Sequence, residues 1–158
     1  METTTFFGQV GLFLILGLGG VGSALGIGAA GRAAAGAWAK EGRRGESLNF
    51  AYIILLGMPL SQTIYSFVLM LLLANSHYYA ENVIAENAGA LFGIGLACGL
   101  AELFSAWMQG LIGAGAVRCI SESEGKGFAF LIIAMGIAET VGLFAWIFLF
   151  LVRPATGG

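Results

Sequence analysis

The chain has 158 residues, of which 58% are hydrophobic and only 10% are charged, with a mean hydropathy of +0.89 and a formal net charge of −2. These values lie far outside the range of ordinary soluble domains and predict an integral membrane protein. The negative net charge and the lack of a basic, aromatic-rich pattern exclude nucleic acid as a partner.

Four apolar stretches are long enough to cross a hydrocarbon core, which takes about 20 helical residues. They cover residues 6–31, 50–74, 87–117 and 128–152. The first stretch has the alternative of a signal peptide, because small residues follow it. The segment before it contains Glu2 and no Lys or Arg, the reverse of a signal sequence, and this favours a retained helix. We therefore predict an all-α membrane protein with four transmembrane helices.

Short polar segments connect these stretches at residues 39–47, 75–87 and 121–127. Lys and Arg lie near the first and third connections, whereas the middle connection has none. The residues concerned are Arg32, Lys40, Arg43, Arg44, Arg118 and Lys126. The positive-inside rule then places 39–47 and 121–127 in the cytoplasm and both termini on the opposite side, with Arg153 as one mildly contrary residue.

Three aromatic residues are predicted to be interfacial anchors, and they are Trp38, Tyr78 and Tyr79. The lone histidine, His77, lies in the middle connection and is interpreted as a solvated loop residue rather than a ligand.

The segment "GLGGVG" at residues 17–22 has the spacing of a dinucleotide-binding motif. That function requires a preceding strand and a βαβ unit, whereas this segment lies inside an apolar helix. We interpret the glycines of the first and third helices as small-residue faces that allow close helix packing. The second and fourth helices carry bulky side chains instead. We expect a ring of many copies with the glycine-rich helices inside and the bulky helices facing lipid.

The two halves of the chain resemble each other. "MPLSQTIYSF" at 58–67 aligns without gaps on "MGIAETVGLF" at 135–144, which places Gln62 opposite Glu139. Such a parallel repeat predicts two tandem helical hairpins inserted in the same orientation. The predicted hairpins span residues 1–80 and 81–158.

An acid lies near the middle of the fourth helix. Glu139 there costs about 2.5 to 3.5 kcal/mol on insertion scales, so it is by default a candidate functional residue. Ser61 and Gln62 lie at the same depth in the second helix, and Gln109 on the third helix reaches a similar depth. Each amide alone would be interpreted as interhelical packing. At matching depth with Glu139, they predict an ion-binding site.

Two further residues extend this candidate site. Pro59 lacks an N–H group and loosens the backbone carbonyls of the preceding turn, which ends at Met58. The resulting all-oxygen set suits a hard monovalent cation. Tyr65 lies three residues after Gln62, on nearly the same helical face, from which its hydroxyl is expected to donate to Glu139.

The motifs "LGMPLSQTIY", "MQG" and "AMGIAET", with the glycine-rich first and third helices, resemble the membrane-rotor proteolipid (the K or c type) of V-type and A-type rotary ATPases. The resemblance covers essentially the whole chain and is closest to the bacterial sodium-pumping V-type enzymes. It implies that Glu139 is the essential carboxylate and that Tyr65 bonds to it. The sodium ligands that it implies are the side chains of Ser61, Gln62, Gln109 and Glu139 and the backbone carbonyl of Met58.

The same resemblance implies a homo-oligomeric ring in a bacterial cell membrane. The ring turns against a stator subunit with an embedded arginine and is driven by ATP hydrolysis through central-stalk subunits on the cytoplasmic loops. Membrane lipid surrounds it, and this chain is a non-catalytic subunit without a nucleotide site. Because Gln62 replaces a carboxylate, each chain would carry one ion. The alternatives are a proton-translocating rotor subunit, and a structural or channel-like helical membrane protein.

Glu102 departs from the pattern of the sodium-type relatives, which have a small residue at this position. It lies seven residues before Gln109, about 10 Å along the same helical face. Three interpretations remain open: a solvated group at the rim of the membrane, part of an ion access path, or a neutral protonated acid within the packing.

Overall fold

A computed structural model describes residues 3–74 and 81–154. Within these residues the structure contains helices and short connections and no strand. The helices are α1 (Thr3–Arg43), α2 (Ala51–Gly57), α3 (Ser61–Ala74), α4 (Glu81–Glu86), α5 (Ala88–Glu122) and α6 (Phe128–Leu151). A 3-10 turn, Met58–Leu60, joins α2 to α3. Tyr78, Tyr79 and His77 lie outside the described residues.

Four helical segments in the described part of the chain are long and apolar enough to cross a membrane. They are α1, the combined segment Ala51–Ala74, α5 and α6. This result confirms the prediction of an all-α membrane protein with four transmembrane helices. "GLGGVG" lies inside α1, as the interpretation as a packing face required.

Two helix ends differ from the predicted boundaries. The first helix continues to Arg43, so part of the predicted connection 39–47 is helical, and the third helix continues to Glu122. Hydropathy marks where a helix leaves the apolar core, but not where its hydrogen bonding stops. The alanine-rich run before Lys40 favours a helix, and the cations Lys40 and Arg43 in the last turn suit its negative end.

The helices α1 and α5 run parallel and in close contact. Gly11 faces Gly95, and Gly26 faces Gly110 fifteen residues further along both helices. A methyl group on Gly110 would overlap the backbone of Gly26, so at this crossing only glycine fits. The predicted small-residue faces of the first and third helices therefore pack against each other.

The connections 44–50 and 123–127 lie at one end of the bundle, which we call the charged end, and the described chain termini lie at the other, the termini end. At the charged end, Glu41 is buried and fixes the connection that follows α1. Its carboxylate accepts hydrogen bonds from the Tyr52 hydroxyl at 2.6 Å and from the backbone N–H of Asn49 at 2.9 Å. Trp38 donates its indole N–H to the Asn49 carbonyl at 2.9 Å. The expected anchor Trp38 thus also holds the connection.

The interior has two apolar clusters. The cluster at the termini end contains Leu12, Ile15, Leu69, Leu73, Ile84, Leu91, Ile94 and Cys98. The cluster at the charged end contains Ala34, Ala37, Tyr52, Leu55, Ala116, Val117, Ile120 and Met135. Between them along α3 and α5 lie the buried polar residues Gln62, Ser105 and Gln109. A polar layer therefore crosses the middle of an otherwise apolar bundle.

Candidate ion-binding site

The second transmembrane segment changes its helical geometry at the depth of the polar layer. Pro59 cannot donate to the carbonyl of Leu55, and the chain forms a 3-10 turn over Met58–Leu60 before resuming as α3. The Met58 carbonyl accepts the backbone N–H of Ser61, and its oxygen lies 3.0 Å from Ser61 Oγ. The predicted ligands Met58 and Ser61 are therefore in contact.

Gln62 begins the buried part of the site. Its side chain has no solvent exposure, and its Nε2 donates to Ser105 Oγ at 3.1 Å and to Gln109 Oε1 at 3.2 Å. Its Oε1 lies 3.1 Å from Ser61 Oγ. Since Ser61 has a single hydroxyl hydrogen, it donates either to Gln62 or to the Met58 carbonyl at any one time.

Both carboxylate oxygens of Glu139 accept hydrogen bonds. The Tyr65 hydroxyl donates to Oε1 at 2.7 Å, and the amide N–H of Gln109 donates to Oε2 at 3.2 Å. Gln109 also donates to the Met135 carbonyl at 3.2 Å. The acid is half-buried, whereas Gln62 and Gln109 are fully buried. The carboxylate is thus held between a buried amide and a half-buried hydroxyl.

The hydrogen bonds connect all the predicted site residues into a single network. It runs from Met58 and Ser61 through Gln62 and Gln109 to Glu139, where Tyr65 closes it. The structure therefore brings together the six residues that the sequence singled out.

Ser105 belongs to this network and was missed by the sequence analysis. Its hydroxyl donates to the Ala138 carbonyl at 2.8 Å and accepts from Gln62. It joins α5 to α6 and fixes the orientation of the Gln62 amide. The signal that could have identified it is its position four residues before Gln109, on the same helical face.

The network presents neutral donors and acceptors around one acid. Gln109 directs its N–H toward the carboxylate of Glu139. A half-turn of the terminal amide would direct Oε1 to the same position, at the cost of the hydrogen bonds that Gln109 makes with Gln62 and with the Met135 carbonyl. The set can therefore supply either hydrogen bonds or oxygen ligands to an occupant beside Glu139.

Four helices that are long and apolar enough to cross a membrane surround a polar layer with the half-buried carboxylate of Glu139, and an ionisable residue in such a position is a candidate functional residue. The sequence profile of the ATP synthase C-subunit family matches residues 10–73 and 92–152. These two segments are most of the chain, and the chain belongs to this family. A comparison with curated proteins gave no match.

Membership of the family establishes the general role. The chain is an ion-translocating rotor subunit of a rotary ATPase and an integral membrane protein. Proteins of this family form helical hairpins and assemble into oligomeric rings that work with a stator subunit.

Proposed function

We propose that this rotor subunit belongs to a V-type rotary ATPase and carries one sodium ion per chain at Glu139. The observation that carries the proposal is the connected network of one carboxylate, two buried amides and a hydroxyl at a single depth. Carboxylate, amide, hydroxyl and backbone carbonyl oxygens are hard ligands of the kind that a hard cation prefers. The liganding oxygens would come from Glu139, Gln62, Ser61, Gln109 and Met58.

Charge neutralisation explains how such a site works during rotation. An ionised Glu139 is costly in hydrocarbon, but a bound monovalent cation makes the site neutral, so the occupied site can pass through lipid. At the stator, a fixed positive charge would replace the cation and release it. The half-buried position of Glu139 and Tyr65 supports exchange from that side of the bundle.

The replacement of an acid by Gln62 sets the number of ions per turn. Moving one elementary charge across the membrane costs about 2.3 kcal/mol per 100 mV. With one ion for four helices, fewer ions share the energy of each ATP than in a ring with an acid in every hairpin. The ring can therefore move each ion against a larger potential, which suits a pump.

A second candidate is a proton-carrying rotor. A protonated Glu139 needs no other oxygen ligand. This candidate differs from the first in the response to sodium and in the effect of removing an amide oxygen.

Carbodiimide labelling of the purified ring tests both candidates, because the reagent attacks protonated carboxyls in apolar surroundings. We expect modification at Glu139, mapped by peptide mass spectrometry, to slow as sodium is added and not as potassium is added. Labelling that ignores sodium would overturn the sodium site and favour the proton. No labelling at Glu139 would contradict an exchangeable carboxyl at this position. Glu139→Gln is the control for assigning the labelled position.

A further inference from the structure

Glu102 is an acid that the proposed ion site does not use. It lies on α5, has no solvent exposure, and neither carboxyl oxygen has a hydrogen-bond partner among the described residues. Its complete burial rules out the interpretation as a solvated group at the membrane rim. A fully buried carboxyl group must be neutralised by a bound proton or cation, because an isolated buried charge is very unfavourable.

The carboxyl group of Glu102 lies beside Gly142 of α6, which has no side chain. A methyl group added to Gly142 would lie 2.5 Å from Glu102 Oε2 and 3.1 Å from Ser105 Oγ. The acid therefore occupies space that Gly142 leaves open, beside the hydroxyl that orients Gln62. The Ser105 hydrogen is already donated to the Ala138 carbonyl, so it is not available to stabilise an ionised Glu102.

The charged and titratable surroundings of Glu102 do not compensate a negative charge. Among the described residues, the titratable groups that interact electrostatically with it at longer range are Glu139 on α6, Tyr65 on α3 and Cys98 on its own helix. None of the three carries a positive charge. Among the described residues no cationic side chain pairs with Glu102, so its negative charge would remain uncompensated and would repel an ionised Glu139.

We propose that the carboxyl group of Glu102 is permanently protonated. It is then a second carboxyl of this chain that binds an ion, and the ion is a proton. Glu139 then holds the single negative charge at this depth, which one monovalent cation can neutralise. The proton on Glu102 stays in place because the carboxyl is fully buried, in contrast to the half-buried Glu139. The assignment to Glu102 does not depend on which cation Glu139 carries.

Infrared spectroscopy of the purified ring in saturating sodium tests this proposal through the carbonyl stretch of protonated carboxylic acids. We expect a band in the wild-type ring that disappears in Glu102→Gln and persists in Glu139→Gln. A wild-type spectrum without such a band, or a band that Glu102→Gln leaves unchanged, would overturn the proposal. A further band lost only in Glu139→Gln would contradict the sodium site while leaving the proton on Glu102 established.

Variants of α6 provide a second test with the acid in place. Gly142→Ala places a methyl group against Oε2, so we expect the Glu102 band to shift or weaken. Gly136→Ala on the same helix is the matched control, since its added methyl group would have no neighbour within 4 Å, and it should leave the band unchanged. An unchanged band in Gly142→Ala would assign the proton to a different carboxyl and contradict the proposal.

Sodium affinity separates a neutral Glu102 from an ionised one. Replacing a protonated acid by glutamine removes no charge, so the sodium concentration that half-protects Glu139 from labelling should change by less than about threefold in Glu102→Gln. A tenfold or larger rise would show that Glu102 is charged and helps to attract the cation, and that result would overturn the proposal.

Discussion

Tyr65 and Glu139 are 74 residues apart in the chain, and the Tyr65 hydroxyl lies 2.7 Å from Oε1 of the acid. This hydrogen bond joins α3 to α6 across the boundary between the two halves of the sequence. On its other oxygen Glu139 is bound by the fully buried Gln109. Breaking the Tyr65 bond would open the half-buried side of the carboxylate and leave the buried side intact.

Tyr65→Phe removes the hydroxyl and keeps the ring. A hydrogen bond to a charged group contributes about 1.5 to 3 kcal/mol. Because the bond is also lost from the ion-free site, only part of this energy affects binding, and we expect sodium to bind up to about tenfold more weakly. The measurement is the sodium concentration that half-protects Glu139 from carbodiimide. Tyr52→Phe, which alters the hydrogen bond to Glu41 at the charged end, is the matched control and should leave that concentration unchanged. Equal protection in Tyr65→Phe and wild type would contradict a closing role for Tyr65.

Gln62→Ala separates the two ion candidates. It removes an amide oxygen from the proposed sodium ligands and also leaves Ser105 and Gln109 without a buried donor. We expect the sodium concentration that protects Glu139 from labelling to rise at least tenfold, while labelling itself continues. We expect the free energy of unfolding to fall by about 1 to 3 kcal/mol. If sodium protection persists at its wild-type concentration, Gln62 is a packing residue only.

Glu139→Asp tests the need for simultaneous contact with Tyr65 and Gln109. The shorter side chain keeps the charge but cannot reach both partners, which lie on different helices. We expect ATP-driven sodium uptake by reconstituted vesicles to fall at least tenfold at low sodium and to recover in part at high sodium. Full activity at low sodium would show that the two-sided contact is not required.

Gly110→Ala tests the packing of α1 against α5. The added methyl group would overlap the backbone of Gly26, and such overpacking costs about 1 to 3 kcal/mol or more. Thermal unfolding of the purified ring should therefore shift to a lower temperature. Gly115→Ala on the same helix adds a methyl group with no neighbour within 4 Å among the described residues of the chain, and it should leave the unfolding temperature nearly unchanged. Equal unfolding temperatures for the two variants would contradict the described crossing.

The sequence predicted the number and class of the helices well, because the apolar length needed to cross a membrane is a strong constraint. Helix ends were predicted less well. The extension of α1 to Arg43 depends on local backbone hydrogen bonding in a polar segment, which hydropathy does not report. Glu41 was also missed, since nothing in its sequence neighbourhood indicates that Tyr52 and Asn49 would bury it.

The candidate site was also predicted in part from the sequence and in part only from the structure. Depth along each helix follows from the 1.5 Å rise per residue, which is why Gln62, Gln109 and Glu139 could be grouped from sequence. Rotation about the helix axis and side-chain direction depend on packing, so the link through Ser105 and the complete burial of Glu102 required the structure.

The central claim is that each chain binds one sodium ion at Glu139, and the most direct test is the stoichiometry of radioactive sodium bound to the purified ring. The account predicts one sodium ion per wild-type chain and none in Glu139→Gln. No bound sodium in the wild-type ring, or equal binding in Glu139→Gln, would contradict it.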